Sequence, residues 1–306
     1  MDTLTLAVAV AAGVALVGVA GWFVIRRRSR RERDPIATAL RGLEQPVETT
    51  DEQQGVELRL GSIYALADIA ERAPEQRAEI FAQLTEYLRE RRPRQQHADA
   101  VEPGAGNPKP PAEVQAIIDF LGRPATGPRN DPPERIDLRE TDLRGADFQL
   151  LDYSGAVLRS TDLSGASFYS AQLNGADLRG ATLIDADLRD AHLNGAFLFR
   201  ADLRGAVLDE ALLGRVDLRA VNLAGASLAG ARAGSADLRQ ANLRDCDLSR
   251  AILERADLRG ADFAGARLTG ANLQGANLTE TNLTTEQLAA ALIDEATALP
   301  HLSAEI

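Results

Sequence analysis

Residues 171–185 read Ala-Gln-Leu-Asn-Gly, Ala-Asp-Leu-Arg-Gly and Ala-Thr-Leu-Ile-Asp, three units of five with a small first residue and an apolar third residue. The third-residue phase continues without a slip through every fifth position from Leu138 to Leu283. Ala233 is the smallest residue in this phase and predicts a locally thinner core. A short repeat sustained over this length predicts a solenoid, because each unit can bury its apolar side only against neighbouring units.

Apolar and polar residues alternate within each unit, which is the period of a strand with one buried face. In unit 176–180 we therefore expect Ala176 and Leu178 to point inward and Asp177 and Arg179 outward. The fifth residue is very often glycine, which suits a sharp corner with positive φ. Each unit thus predicts one short edge followed by one corner.

The outward residues repeat with a longer period, which indicates how many edges close one coil. Outward arginines are spaced by 20 or 40 residues, at Arg139, Arg159, Arg179, Arg219, Arg239 and Arg259. Most have an aspartate two residues earlier, at Asp137, Asp177, Asp217, Asp237 and Asp257. The simplest explanation is a coil of four edges, and coils stacked about 4.8 Å apart would extend for roughly 36 Å. We interpret this charged wall as solvated and self-neutralising, with a dedicated docking strip as the alternative.

Units such as Ala-Asp-Leu-Arg-Gly at 176–180 and 201–205 resemble those of the pentapeptide-repeat proteins. The resemblance covers about half of the chain and implies a mainly β fold, a right-handed quadrilateral β-helix over 135–285. It is informative about the fold and much less so about the function.

The N-terminal segment predicts a single transmembrane helix. Residues 4–25 carry no charge and would extend about 33 Å as a helix, enough for a bilayer core. A basic cluster follows and predicts a body in the cytoplasm, with the N-terminus outside: Arg26, Arg27, Arg28, Arg30, Arg31 and Arg33. The alternative is a cleaved signal peptide with a site near Val17-Gly18-Val19-Ala20, although the basic residues follow the apolar run instead of preceding it. We expect an uncleaved anchor in the inner (cytoplasmic) membrane.

Between the anchor and the repeats, we expect a basic juxtamembrane segment and linker at 26–55 and an α-helical module at 56–121. The module has three apolar stripes at helical spacing, Leu60/Ile63/Leu66/Ile69/Ala70, Ile80/Phe81/Leu84/Tyr87/Leu88 and Val114/Ile117/Ile118/Leu121. Pro74 would begin the second helix, and proline-rich loops are expected at 93–111 and 122–134. The string from Arg59 to Leu66 resembles a helical preamble of membrane-anchored bacterial pentapeptide-repeat proteins, similar to a degenerate armadillo-type pair. The module could cap the open end of the β-helix or bind a partner.

The C-terminal segment, 286–306, predicts a capping helix and a tail. Thr284 lies three residues before Gln287, the spacing of a capping box. Leu288, Ala291, Leu292 and Ala296 would follow on one side of the helix. The resemblance implies that such segments can form a dimer interface, so a homodimer is the alternative to a simple cap.

No catalytic, cofactor or metal site is expected. His97, His192 and His301 are scattered, and Cys246 occupies a small inward position as a buried filler. Asp185, Asp187 and Asp190 are close in sequence, but the repeat places them at corners and on an edge beside Arg189 as a solvated surface.

One coil departs from the charged pattern and predicts an interaction patch. Its outward positions hold Phe197, Phe199, Val207 and Leu212, and large exposed apolar groups tend to mark interaction sites. The alternative is coincidence, or packing of the two phenyl rings on each other.

Two functions follow from these features. The first is a non-enzymatic, membrane-tethered scaffold whose rod binds an unknown cytoplasmic protein. The second is a mimic of DNA that acts on a type II topoisomerase, as the resemblance implies for some family members. Residues 134–285 contain 22 acidic and 17 basic residues, a net charge of −5, whereas about 36 Å of duplex would carry about 21 negative charges. The mimic is therefore the weaker alternative, and direct nucleic-acid binding by a chain of net charge −11 is not expected.

Overall fold

The computed structural model describes residues 34–44, 52–94, 109–123 and 135–300. The chain divides into two compact units, residues 1–76 and 77–306. The predicted span at 4–25, the arginines at 26–33, His97 and His301 lie outside the described residues. Within the ranges described, no helix is both long enough and apolar enough to cross a membrane.

The first unit contains helix α1, Pro35–Glu44, packed against helix α2, Glu52–Arg72. α1 buries Ile36, Ala39 and Leu43. We expected residues 26–55 to be a juxtamembrane segment and linker, but helix α1 lies within this segment. The apolar stripe of α1 extends over only two turns between polar and proline-containing stretches, too short to stand out by periodicity.

Two further helices precede the repeats, α3 at Pro74–Arg91 and α4 at Ala112–Leu121. The second and third predicted stripes lie on α3 and α4, respectively, and Pro74 begins α3 as expected. Phe81 and Phe120 join the two helices through an edge-to-face contact, with ring centroids 5.3 Å apart. The guanidinium of Arg77 lies 4.6 Å from the centre of the Phe81 ring, so its charge is held against aromatic faces.

The repeats form a parallel β-helix in the second unit. Residues 20 apart pair in parallel from Asp137 and Val157 to Asp257 and Asn277, which confirms four edges per coil. The third residue of every unit from Leu138 to Leu283 is buried. The inward orientation predicted for the third residues is therefore correct along the whole solenoid, and outward second residues such as Asp142 and Val157 are buried only near its N-terminal end.

Hydrogen bonding explains why aspartate or asparagine so often takes the second place of a unit. In unit 216–220, the amides of the first, second, third and fifth residues donate to backbone carbonyls. The amide of the fourth residue, Arg219, instead donates to Oδ1 of Asp217 at 3.3 Å. The second residue thus satisfies the one amide that the ladder leaves over, so its carboxylate or amide has a structural role.

The corners require positive φ at every fifth residue, and glycine is not the only residue that adopts it. Gly225 has φ 70°, whereas Arg200, Asp185 and Asp190 have φ 55–56° in the same place of their units. A left-handed conformation costs a non-glycine residue about 1–2 kcal/mol. The stacked ladder on both sides of each corner therefore overrides the local preference.

The N-terminal end of the β-helix is covered by the chain that precedes it. After α3, Pro93 pairs antiparallel with Thr141, and the guanidinium of Arg94 continues along a corner of the second and third coils. It donates to Ser160 O at 3.0 Å, Gly180 O at 3.3 Å and Thr182 Oγ1 at 2.7 Å. The pairing of Pro93 with Thr141 covers part of the exposed edge of the first coil, and the Arg94 side chain fastens this segment to the next two coils.

Helix α4 also contacts the first coil. The buried Tyr153 hydroxyl donates to Ile118 O at 2.8 Å, and the Asp152 amide donates to Gly122 O at 2.8 Å. Of the two roles left open for the helical module, α4 and the end of α3 therefore act as a cap.

The C-terminal end departs from the sequence-based expectation. The capping box of Thr284 and Gln287 is present, but helix α5 extends only over Thr285–Ala289. Leu288 is buried, whereas Leu292 is 56% exposed and pairs with Asn272 in a further parallel bridge. The predicted one-sided stripe beyond Leu288 is therefore wrong, because the chain re-enters the ladder after one turn of helix.

Candidate interaction surface

One face of the β-helix, named here the Arg/Asp wall, carries the charged ladder. It consists of units that stack directly on one another, at 136–140, 156–160, 176–180, 196–200, 216–220, 236–240 and 256–260. Second and fourth residues of each unit point outward on this face. The wall therefore has two columns, one of second residues and one of fourth residues. Each unit contributes one rung, and successive rungs are separated by about one strand spacing.

Arginine and aspartate on the same rung neutralise each other. Arg219 donates from Nε to Asp217 Oδ1 and from Nη2 to Oδ2, both at 2.8 Å. The rungs at Arg139, Arg179, Arg239 and Arg259 repeat this fork. Arg159 has Val157 two residues earlier and pairs instead with Asp177 of the next coil. Bidentate geometry fixes these partly exposed side chains more firmly than a single contact would.

The forks of Arg219 and Arg259 each lower the pKa of the aspartate that they contain. Hydrogen bonds from Arg219 and Arg259 lower the pKa of Asp217 and of Asp257 below the ordinary value of a carboxyl group, against a smaller opposing effect of burial. A lowered pKa in the folded state means that the carboxylates stabilise the fold above their ordinary pKa. This contribution is lost as the pH falls through the lowered values.

The coil of the two phenylalanines interrupts both columns. Phe197 is 45% exposed, and Phe199 is half-buried. Each ring has a guanidinium nearby, Arg179 at 5.8 Å from the Phe197 centroid and Arg219 at 5.3 Å from that of Phe199. Each phenyl ring is thus flanked by a neighbouring guanidinium group.

A groove begins at Phe199 and follows the fourth-residue column. It has a volume of about 370 Å³ and is lined by Phe199, Arg219, Ala220, Arg239, Gln240, Arg259 and Glu280. The arginines use Nε and Nη2 for their own aspartates, so Nη1 of each remains directed away from the fork. The surface beside the phenylalanines therefore combines an apolar end with guanidinium edges.

The four residues of the predicted patch do not form one surface. Phe197 and Phe199 share the Arg/Asp wall, but Val207 lies on the opposite edge of the coil and Leu212 on the edge after that. Both aliphatic side chains are half-buried. A continuous four-residue patch is therefore wrong, because residues ten apart in a coil of twenty face opposite directions.

One comparable aromatic residue of the β-helix was not singled out from the sequence. Tyr169 is 40% exposed on the opposite wall, with the Arg189 guanidinium 5.8 Å from its ring. Its outward fourth place could have revealed it, but the polar Ser167 on the same edge concealed the signal. Tyr169 provides a matched control for the phenylalanine pair.

The other residues considered from sequence have structural explanations. The Cys246 thiol donates to Leu223 O, and burial raises its pKa to about 12. Asp187 forms a fork with Arg189, between the corner residues Asp185 and Asp190. In the part of the chain that the structure describes, no cluster of histidine, cysteine or acidic residues could hold a metal ion.

Comparisons with known proteins agree with the repeat architecture. The family model described as Pentapeptide repeats matches residues 136–180, 181–219, 217–260 and 246–284. No match was found among curated proteins.

Several solved structures are similar to this chain over the repeats. HetL from the cyanobacterium Nostoc sp. strain PCC 7120, a pentapeptide-repeat protein involved in regulating heterocyst differentiation, is 35% identical; the match covers 53% of this chain and 78% of HetL, with a TM-score of 0.22. The Nostoc PCC 7120 pentapeptide-repeat protein alr5209 is 36% identical over 32% of this chain and 76% of its own, with a TM-score of 0.21. QnrB1, a plasmid-mediated fluoroquinolone resistance protein in trypsin-treated form, is 20% identical over 54% of this chain and 82% of its own, with a TM-score of 0.40.

Proposed function

Because this chain belongs to the pentapeptide-repeat protein family, with a right-handed quadrilateral β-helix, we propose that it acts without catalysis, as a scaffold that binds a protein partner. The supporting observation is the pair Phe197 and Phe199, which replaces a neutralised Arg/Asp rung by aromatic surface. Aromatic residues flanked by arginine are the composition of interaction hot spots.

The β-helix suits this role because its surface is held in place by the ladder. Backbone hydrogen bonds join each coil to the next along the whole wall, and the N-terminal end is covered by α4 and Arg94. Outward side chains therefore keep a regular spacing, so little ordering is needed when a partner binds.

We further propose that residues 4–25 tether the chain to the inner membrane, with the body in the cytoplasm. The uncharged run and the arginines after it support this part of the proposal. The tether would confine the chain to the membrane, which raises its effective concentration for a partner that is also at the membrane.

The proposal is tested by proximity labelling from the full-length chain, comparing Phe197→Ser with Phe199→Ser in one variant against the parent. We expect the variant to lose its labelled partners and any oligomer mass in light scattering, and to stay in the membrane fraction as the parent does. Tyr169→Ser is the control, since it removes an aromatic of similar exposure from the opposite wall. An unchanged partner list and mass would refute the role of the pair, and a chain in the soluble fraction would refute the tether.

Mimicry of DNA is the second candidate, and the Arg/Asp wall argues against it. A mimic needs uncompensated negative charge, whereas the carboxylates of this wall are bound by arginine forks. We expect the full-length chain to leave topoisomerase supercoiling unchanged. Inhibition or protection of the topoisomerase at micromolar protein, retained in the Phe197→Ser/Phe199→Ser variant, would favour the mimic instead.

A further inference from the structure

The outward residues of the Arg/Asp wall are complementary to themselves. We propose that this wall binds the same wall of a second copy of the chain, with the two β-helices side by side and parallel. The inference rests on the proposed function, because it names the partner of the Phe197/Phe199 pair.

The complementarity follows from the two columns. A two-fold axis that runs along the wall, between the columns, places the second residue of each unit opposite the fourth residue of the same unit in the other copy. Asp217 then faces Arg219 of the second copy, and Phe197 faces Phe199 of the second copy. The same match holds at the Asp177/Arg179, Asp237/Arg239 and Asp257/Arg259 rungs, so five successive coils are paired without a mismatch.

The opposite orientation does not match. An axis across the wall at the phenylalanine coil would bring second residues opposite second residues. Asp177 would then face Asp217 of the second copy, and Arg179 would face Arg219. Like charges across an interface are repulsive and exclude wrong orientations, so the wall selects the parallel arrangement.

The available part of the wall begins at the third coil. Arg89 approaches Asp137, Arg94 extends along the neighbouring corner, and Val157 is buried. Five rungs at about 4.8 Å extend over about 20 Å, so the contact is smaller than the roughly 800 Å² per partner of a standard interface. The pair is therefore weak and depends on concentration.

The proposed tether supplies that concentration and the same orientation. Two copies anchored by their N-termini in one membrane would have parallel chains, and confinement raises their effective concentration. The phenylalanine coil would contribute apolar contact, and the charged rungs would set the register.

The test uses cysteine pairs in the full-length chain, with two tags of different size. Copies carrying Phe197→Cys are mixed with copies carrying Phe199→Cys and oxidised over a series of protein concentrations. In the parallel pair, the thiol introduced at position 197 of one copy meets the thiol introduced at position 199 of the other. We therefore expect the mixed disulfide dimer to exceed either same-variant dimer several-fold. The parent chain is the background control, because its Cys246 is buried, and Ser227→Cys on the opposite wall controls for random collision.

Charge reversal tests the register independently of the phenylalanines. Arg219→Asp, added to both cysteine variants, places Asp217 opposite another aspartate and should reduce the mixed dimer about fivefold at low salt. Adding Asp217→Arg as well exchanges the two charges and should restore the yield. Circular dichroism of each variant checks that the β-helix is intact.

The outcomes separate this inference from the proposed function. A mixed dimer at the level of the Ser227→Cys control, or one equalled by the Phe197→Cys dimer alone, overturns the parallel pair. If Phe197→Ser/Phe199→Ser then still removes labelled proteins, the wall binds a different protein and the scaffold proposal remains. If the serine variant also changes nothing, both are refuted.

Discussion

Replacing Phe148 with alanine is expected to lower the free energy of unfolding of the β-helix by about 3–5 kcal/mol, the range for removing a buried aromatic side chain. Phe148 is fully buried, stacks on Phe168 with centroids 4.5 Å apart and meets Tyr153 edge-to-face at 5.0 Å. The stacked ladder prevents neighbouring coils from closing the gap, so much of the cavity would remain. Chemical denaturation followed by circular dichroism measures the change.

Phe148→Leu provides the matched control, because leucine is the commonest residue in this place of the unit. We expect it to recover much of the loss, since it refills most of the cavity. Phe199→Ala removes the same side chain from the surface and should change the free energy by about 1 kcal/mol or less. Equal stability of Phe148→Ala and the parent would contradict the assigned packing of the first coils.

Replacing Gly122 with alanine is expected to destabilise the second unit by about 1–3 kcal/mol, the usual cost of overpacking. A Cβ at this position would lie 2.6 Å from Tyr153 Cε2 and 2.7 Å from Leu151 Cβ, closer than carbon atoms approach. Gly122 follows α4, so the substitution should push the cap away from the first coil and weaken the Tyr153 hydrogen bond to Ile118. Thermal unfolding and amide exchange of α4 measure the effect.

Gly61→Ala is the opposite case and the control for the chemical change itself. Gly61 lies inside α2 with no atom within 4 Å of an added Cβ. Alanine there should stabilise the helix by up to about 1 kcal/mol, because it has the higher helix propensity. If Gly122→Ala were equally stabilising, the close approach of α4 to the first coil would be disproved.

The repeat period predicted the β-helix almost completely, because burial in a solenoid depends on neighbours that the period already specifies. The third residues of all units from Leu138 to Leu283 are buried. The twenty-residue spacing of the outward arginines correctly predicted four edges per coil. The same information could have shown that Val207 faces away from Phe197, since ten residues are half of a coil. The capping box at Thr284 was also predictable, because its bonds are local.

Long-range contacts account for what could not be predicted from the sequence. α1 has too short a stripe to be distinguished from a linker, and Arg94 reaches Gly180 and Thr182 from a segment without periodic pattern. The path of the chain after α5 also could not be inferred, because Leu292 fits an apolar helix stripe and an outward rung equally well locally.

Residue order alone therefore determined the period, the inward face and the charged columns, since each depends on spacing along one chain. Tertiary structure decided which aspartates bind their own arginines, and how α4 and Arg94 close the end. The closure of the end requires atoms brought together by folding from positions 35 and 66 residues apart, and each fork requires a backbone that holds both side chains of the rung on one face. The Phe197/Phe199 pair depends on both the sequence and the fold. The sequence shows that it departs from the charged pattern, and the fold shows the distances from its rings to the neighbouring guanidinium groups.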